Sequence, residues 1–284
     1  MISDTKVVAI GGGTGLSTML KGLKLHTHNI TAVVTVADDG GSSGILRSDL
    51  GMLAPGDVRN CVSALAEVDP VMGELLNFRF KDGSLKGHSL GNLFLAALNE
   101  TSSSFDEAVK KFSHLAGVVG TVYPVTNESV TLSALLEDGR LIEGESHIGV
   151  HHDGPKNGIV KLMVNPEKPK AVDGVIKALE KADIIVLGPG SLYTSIIPNL
   201  LVDGVVDAIK KSNAVKIYVC NIMSQAGETE NYTVSDHLAA IERHSYEGIA
   251  DIVIANNAII PESLRIKYAS EHAREVMIDS INVL

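Results

Sequence analysis

The amino-acid sequence predicts an α/β fold: a doubly wound, mainly parallel sheet covered by helices, with a β-rich insert in the middle of the chain. Three observations carry this reading. Short β-branched apolar runs without polar alternation recur at 7–10, 30–37, 184–187, 217–220 and 252–255, as strands buried on both faces require. Helix-period stretches separate them, the alternation expected of a parallel sheet. Several runs end in Gly, Asp or Asn, which mark tight turns at strand ends.

The elements follow in order. A first strand, 7–10, leads through Gly11-Gly12-Gly13-Thr14-Gly15 into a helix over 16–23, and a second strand, 30–37, ends at Asp38-Asp39. Helices are expected over 89–99 and 105–115. The stretch 118–164 then changes character: strand-like runs flank Asp138-Gly139, a strong hairpin signal. His151 to Gly158 is expected to form an exposed loop within it. The second half resumes the alternation, with helices over 172–181, 200–212 and 234–244. The chain is therefore expected to form one domain over 1–284, with a Rossmann-like half (1–117), the β-rich insert (118–170) and a second α/β half (171–284).

Composition narrows the function. The chain has 284 residues, 45% hydrophobic and 20% charged, with net charge -10. A chain of this size buries enough apolar surface for a substantial core. Aromatics are 4% and Trp is absent, so stacking platforms and a basic groove for nucleic acid are both lacking. The two cysteines, Cys61 and Cys220, form no CxxC pair, and reduced thiols are expected. Without a signal-peptide pattern or an apolar run of about 20 residues, the sequence predicts a cytoplasmic protein with no membrane insertion.

The candidate chemistry lies at strand ends. Gly11 to Gly15 lets backbone approach an anion at a helix N-terminus. It is neither a GxGxxG fingerprint, since Leu16 holds the third glycine position, nor a P-loop, since no Lys follows. An ordinary tight turn is the alternative use. Asp38-Asp39-Gly40-Gly41-Ser42-Ser43-Gly44 places paired acids where a ribose hydroxyl or Mg²⁺ would be bound, with donors or a mobile lid in the following run. Asp57 reads as a helix cap, Arg59 as a guanidinium for phosphate or carboxylate, with Asn60 beside it. His88 precedes a helix that Ser89 caps and that carries Asn92 one turn in; His88 is a candidate acid/base or ligand contact. A second glycine loop, Gly188-Pro189-Gly190-Ser191 through Ser195, follows the strand-like run 184–187, and Asn221 opens a polar cluster after the run 217–220. Two anion-competent loops at one sheet edge suit a diphosphate ligand such as a nucleotide sugar or a dinucleotide. No HExxH or GxSxG occurs, and the adjacent His151-His152 makes a poor metal pair.

Six of these segments in order, from Gly11–Gly15 to Asn221–Thr229, resemble the bacterial gluconeogenesis factors (YvcK-like proteins), within a superfamily that includes 2-phospho-L-lactate transferase. The resemblance implies a three-layer αβα fold and a pocket for a UDP-N-acetylglucosamine-type ligand. It also implies a regulator needed for cell morphogenesis and cell-wall precursor supply during gluconeogenic growth. Carried over residue by residue, it puts Gly12, Gly13, Thr14, Gly15, Gly188, Gly190, Ser191 and Ser195 around phosphates and Asp38 at a metal-binding position. Gly40, Ser42, Arg59, Asn60, His88, Asn92 and Asn221 complete the expected ligand-binding set. Ser224-Gln225-Ala226 departs from the family's usual Thr-Gln-Pro. The alternative reading is a Mg²⁺-dependent transferase of phosphorus-containing groups, with Asp38, Asp39 and His88 as its catalytic candidates. An NAD-type ligand, a homo-oligomer and a regulatory protein partner are further expectations.

Overall fold

The computed structural model describes residues 2–67, 69–149 and 158–279. Its strands are β1 (Val7–Gly11), β2 (Ile30–Val34), β3 (Thr121–Pro124), β4 (Thr131–Leu136), β5 (Leu141–Glu143), β6 (Ile159–Asn165), β7 (Ile184–Leu187), β8 (Val215–Val219) and β9 (Ile252–Ile254). Six of them form a parallel sheet in the order β3-β2-β1-β7-β8-β9. Counting only these six strands, the order is 3-2-1-4-5-6, in which the direction of winding reverses between β1 and β7. Every residue of β1 is buried, because helices cover both faces of the centre of the sheet.

The helices form where the apolar period and the caps agree. Helix Phe105–Leu115 buries Phe105, Ala108, Val109 and Phe112, one stripe at helical spacing, and Ser104 caps it. Helix Val234–Arg243 starts in a reciprocal capping box between Thr233 and Asp236. Four helices were not expected from the sequence: Gly41–Leu50, Pro70–Asn77, Glu145–Ile148 (inside the strand-like run 141–148) and Glu262–Ser270. The glycine/serine run after Asp39 is therefore the first turn of a helix. The helix expected over 200–212 is broken, with Ile197–Leu200 and Val205–Lys211 separated at Gly204, which adopts φ +86.

The insert is narrower than 118–170. β3, inside that range, pairs with β2 as the outer strand of the main sheet. Gly120 makes that pairing possible: at φ +92, a Cβ there would sit 2.4 Å from the Ile30 carbonyl oxygen. The separate sheet is β5-β4-β6, antiparallel, with the Asp138-Gly139 hairpin joining β4 to β5 as the sequence predicts. Its two ends are stitched together where it leaves and rejoins the core: Thr126 bridges Ala171, and the Val172 N–H donates to the Val125 carbonyl at 3.0 Å. Imidazole replaces a strand partner on β6, where the Leu162 N–H donates to Nε2 of His244 at 2.8 Å. Of the predicted His151–Gly158 loop, residues 151–157 lie outside the described residues.

Candidate functional site

The two glycine loops meet at the reversal point of the sheet. Gly12 caps helix Gly13–Leu23, and Gly13 takes φ +64. The loops pack backbone to backbone: a Cβ on Gly15 would lie 2.9 Å from the Pro189 carbonyl oxygen, and one on Gly190 would lie 3.2 Å from the Ser195 Cβ and 3.4 Å from the Gly12 carbonyl oxygen. Asn199, fully buried, ties them together. Its Nδ2 donates to the Gly11 carbonyl at 3.1 Å and to the Ser195 carbonyl at 2.7 Å, while its Oδ1 is buried without a partner. Thr14 is exposed, Ser191 half-buried and Ser195 buried. Asn221, half-buried after β8, also has an unpaired buried Oδ1.

The β2 end forms the next wall. Oδ1 of Asp38 accepts the Gly40 N–H at 2.9 Å. Both oxygens of Asp39 are engaged: they accept the N–H groups of Glu145 (2.9 Å) and Ser146 (2.8 Å), fixing the short helix Glu145–Ile148 of the insert to the core. Gly44 allows this chain path, since a Cβ there would fall 2.0 Å from the Asp39 carbonyl oxygen.

A buried polar chain runs behind this wall. The Ser42 hydroxyl pairs with His88 Nδ1 (2.9 Å) and accepts from Asn92 Nδ2 (3.1 Å); Arg59 Nε donates to Asn92 Oδ1 (3.3 Å) and its Nη1 to Asn77 Oδ1 (2.9 Å). Four predicted residues are thus joined by hydrogen bonds. Arg59 is buried and has no carboxylate within ion-pair distance among the described residues; burial, then Arg79, pulls it below the usual guanidinium range. Asn60 is half-buried on the same helix, Gly56–Leu65. Ser89 caps the helix Leu90–Glu100 as expected, accepting the Asn92 N–H at 3.2 Å.

Three carboxylates outside the expected ligand-binding set enter the site. Asp57 is not the cap of its helix. Pro55 holds that position, and Asp57 turns toward the first glycine loop, its Oδ2 2.5 Å from where a Gly12 Cβ would sit. Burial and then Asp38 raise Asp57 to about 6, against the opposing pull of the Gly13 N–H and Arg59. Glu228 is buried against the second loop, accepting the Tyr193 N–H (3.2 Å) and the Thr194 hydroxyl (3.4 Å), and burial raises it to about 7. Glu145, from the insert, is raised to about 8 by burial first, then by Asp38, Asp39, Glu228 and Asp57. Glu145 carries no sequence signal; Asp57 and Glu228 lie in segments the sequence singles out, and the fold gives them their place in the site.

Their protonation sets a pH dependence. The folded chain keeps protons on Asp57, Glu228 and Glu145 that the unfolded chain loses near the ordinary values of 3.8 and 4.5, so stability falls from those values up to about 6 for Asp57, about 7 for Glu228 and about 8 for Glu145. Burial lowers His237 and His244, which act with the opposite sign, but their contribution is complete once pH exceeds the unfolded value of 6.5. Between pH 6.5 and 8 the carboxylates prevail. Glu145→Gln is therefore expected to flatten the loss of stability over that window in denaturant titrations; an unchanged slope would refute the assignment.

Among the described residues no three His, Cys, Asp or Glu side chains form a group able to hold a metal ion by themselves. Mg²⁺, however, is commonly held by one or two carboxylates together with water and substrate phosphate. Asp38 and Asp57 fit that use: they are close enough for Asp38 to raise Asp57. No helix among the described residues is long and apolar enough to cross a membrane.

Comparison with known proteins agrees with this fold. A Clostridium acetobutylicum relative is 51% identical over 98% of this chain, which spans 62% of that relative's length. The gluconeogenesis factor of Bacillus subtilis is 46% identical over 96% of this chain and 86% of its own. A crystal structure of a Bacillus halodurans protein of the UPF0052 family superposes with a TM-score of 0.94 at 45% identity, covering 98% of this chain and 89% of that one. The model of the family described as 2-phospho-L-lactate transferase CofD matches residues 7–284, and the chain belongs to that family.

Proposed function

We propose that this chain is a cytoplasmic regulator that binds a nucleotide sugar of the UDP-N-acetylglucosamine type and serves cell shape and wall-precursor supply during gluconeogenic growth. The observation that carries the reading is the meeting of two glycine loops, each opening a helical turn, at the switch point of a 3-2-1-4-5-6 sheet. Such crevices bind ligands outside the carboxyl ends of the strands, and helix N-termini favour phosphate. Relatives named gluconeogenesis factor support the link to gluconeogenic growth. The hydroxyls of Thr14, Ser191 and Ser195 and the Asn221 amide serve as polar contacts along that edge.

A calorimetric panel of UDP-sugars, GDP compounds and NAD, each with and without Mg²⁺, tests the reading. Saturable binding of a UDP-sugar is expected; none at about 1 mM ligand, the level of weak binding, would sink it.

The second reading, Mg²⁺-dependent transfer of a phosphorus-containing group, is favoured by the Asp38–Asp57 pair and by the family's description. Mg²⁺ there would neutralise phosphate charge, while Asp38 and Asp57 hold it and the Ser42–His88 pair orients a hydroxyl. If Asp38→Asn retained the parent's Mg²⁺ affinity, the metal role of Asp38 would be lost.

A further inference from the structure

The starts of β1, β2 and β3, at the pole of the sheet away from the glycine loops, surround a hollow of about 280 Å³. Lys6, His28, Lys177 and Lys181 line it, and no Asp or Glu does. In a chain with 34 acidic and 24 basic residues, this is a local inversion of charge. The three ammonium groups have no ion pair among the described residues, where the salt bridges are Glu107–Lys111 and Asp138–Arg140, and no hydrogen bond from their Nζ atoms. The nearby Asp183 carboxylate accepts the Lys6 backbone N–H at 2.8 Å.

A structural cause accounts for only part of the cluster. Lys177 and Lys181 stand at the C-terminal end of helix Asp173–Glu180, where cations are favoured by the helix dipole. One turn apart, they also repel each other. Lys6 arrives from another part of the chain, just before β1, and gathers the positive charge into a concave site that focuses its field, with the His28 ring beside it. Lysine recognises phosphate as a point charge and needs no fixed approach geometry. The volume lies just below the usual range of ligand pockets, about 300–1,000 Å³, too small for a whole nucleotide and suited to a compact anion.

We propose that this hollow is a binding site for a small phosphorylated anion carrying two or more negative charges, separate from the glycine-loop crevice. Val7, Ile30 and Thr31 of the strands contribute to its walls. The cations are exposed, so binding weakens as salt screens them.

Inorganic pyrophosphate is the probe, titrated by calorimetry at low ionic strength without divalent cation. Saturable binding is expected, and Lys177→Glu/Lys181→Glu should weaken it at least tenfold while Lys177→Arg/Lys181→Arg retains it. Both lysines are exposed, and an unchanged Tm in each variant confirms the fold. No binding to the parent protein overturns the proposal. So does undiminished affinity in the charge-reversed variant, which would place the anion at the glycine loops. A UDP-sugar titrated against the same variant reads the crevice separately: its result bears on the proposed function and leaves the pyrophosphate result intact.

Discussion

Asn199→Asp is expected to lower the unfolding free energy by about 3 kcal/mol and to weaken ligand binding at the crevice more than tenfold. The substitution keeps the side-chain shape. It removes the amide that donates to the Gly11 and Ser195 carbonyls and sets a carboxylate against two carbonyl oxygens in a fully buried position. At this chain length the loss corresponds to a fall in Tm of roughly 6 °C. Asn199→Ala should cost less stability, since it also deletes the orphaned Oδ1, yet it should weaken the ligand as well, because either change frees the two loops to separate. Denaturant titration alongside calorimetry distinguishes these effects. If both variants bound ligand as the parent does, the loop spacing would not depend on Asn199.

Gly44→Ala is expected to have an effect of similar size, about 3 kcal/mol, by overpacking against main chain. The added methyl would fall 2.0 Å from the Asp39 carbonyl oxygen and 2.7 Å from its carbon, both backbone atoms that no rotamer change can move. To relieve the clash, helix Gly41–Leu50 must shift, carrying Ser42 away from His88 and Asp39 away from the insert amides it caps. Gly22→Ala is the control. Nothing lies within 4 Å of its Cβ position in helix Gly13–Leu23, and the change should be neutral or stabilising by about 0.5 kcal/mol. Equal losses from both substitutions would overturn the packing argument.

Periodicity and turn chemistry revealed the frame of the fold before any coordinates. The apolar runs are strands of one parallel sheet, Asp138-Gly139 is a hairpin, and Gly11–Gly15 and Gly188–Ser195 lie at adjacent strand ends. What escaped was set by long-range contact. Helix Gly41–Leu50 begins Gly-Ser-Ser-Gly, poor helix formers that read as loop; packing against Asp39 and the His88 segment overrides that local preference. Helix Pro70–Asn77 was legible in principle, since Asp69 caps it and Pro70 is its first residue, both recognised start signals. Glu145 had no local signature: it reaches the site because Asp39, 106 residues earlier, holds its backbone; Glu228 lay in the Asn221–Thr229 cluster, but the Tyr193 amide it accepts is 35 residues earlier. Asp57 looked like a cap because its sequence context is that of one, and only its place beside Gly12 shows the other use.

The paired entry and exit of the insert has a consequence for how this architecture diversifies. Because Thr126 is bridged to Ala171 and Val125 to Val172, the segment 127–170 leaves and re-enters the sheet through a single doorway. Its length and sequence can change while β3 and β7 keep their places. The glycine loops belong to the frame, whereas Glu145 arrives on the exchangeable part. The glycine loops and Glu145 thus sit in separable modules, and replacing one need not disturb the other.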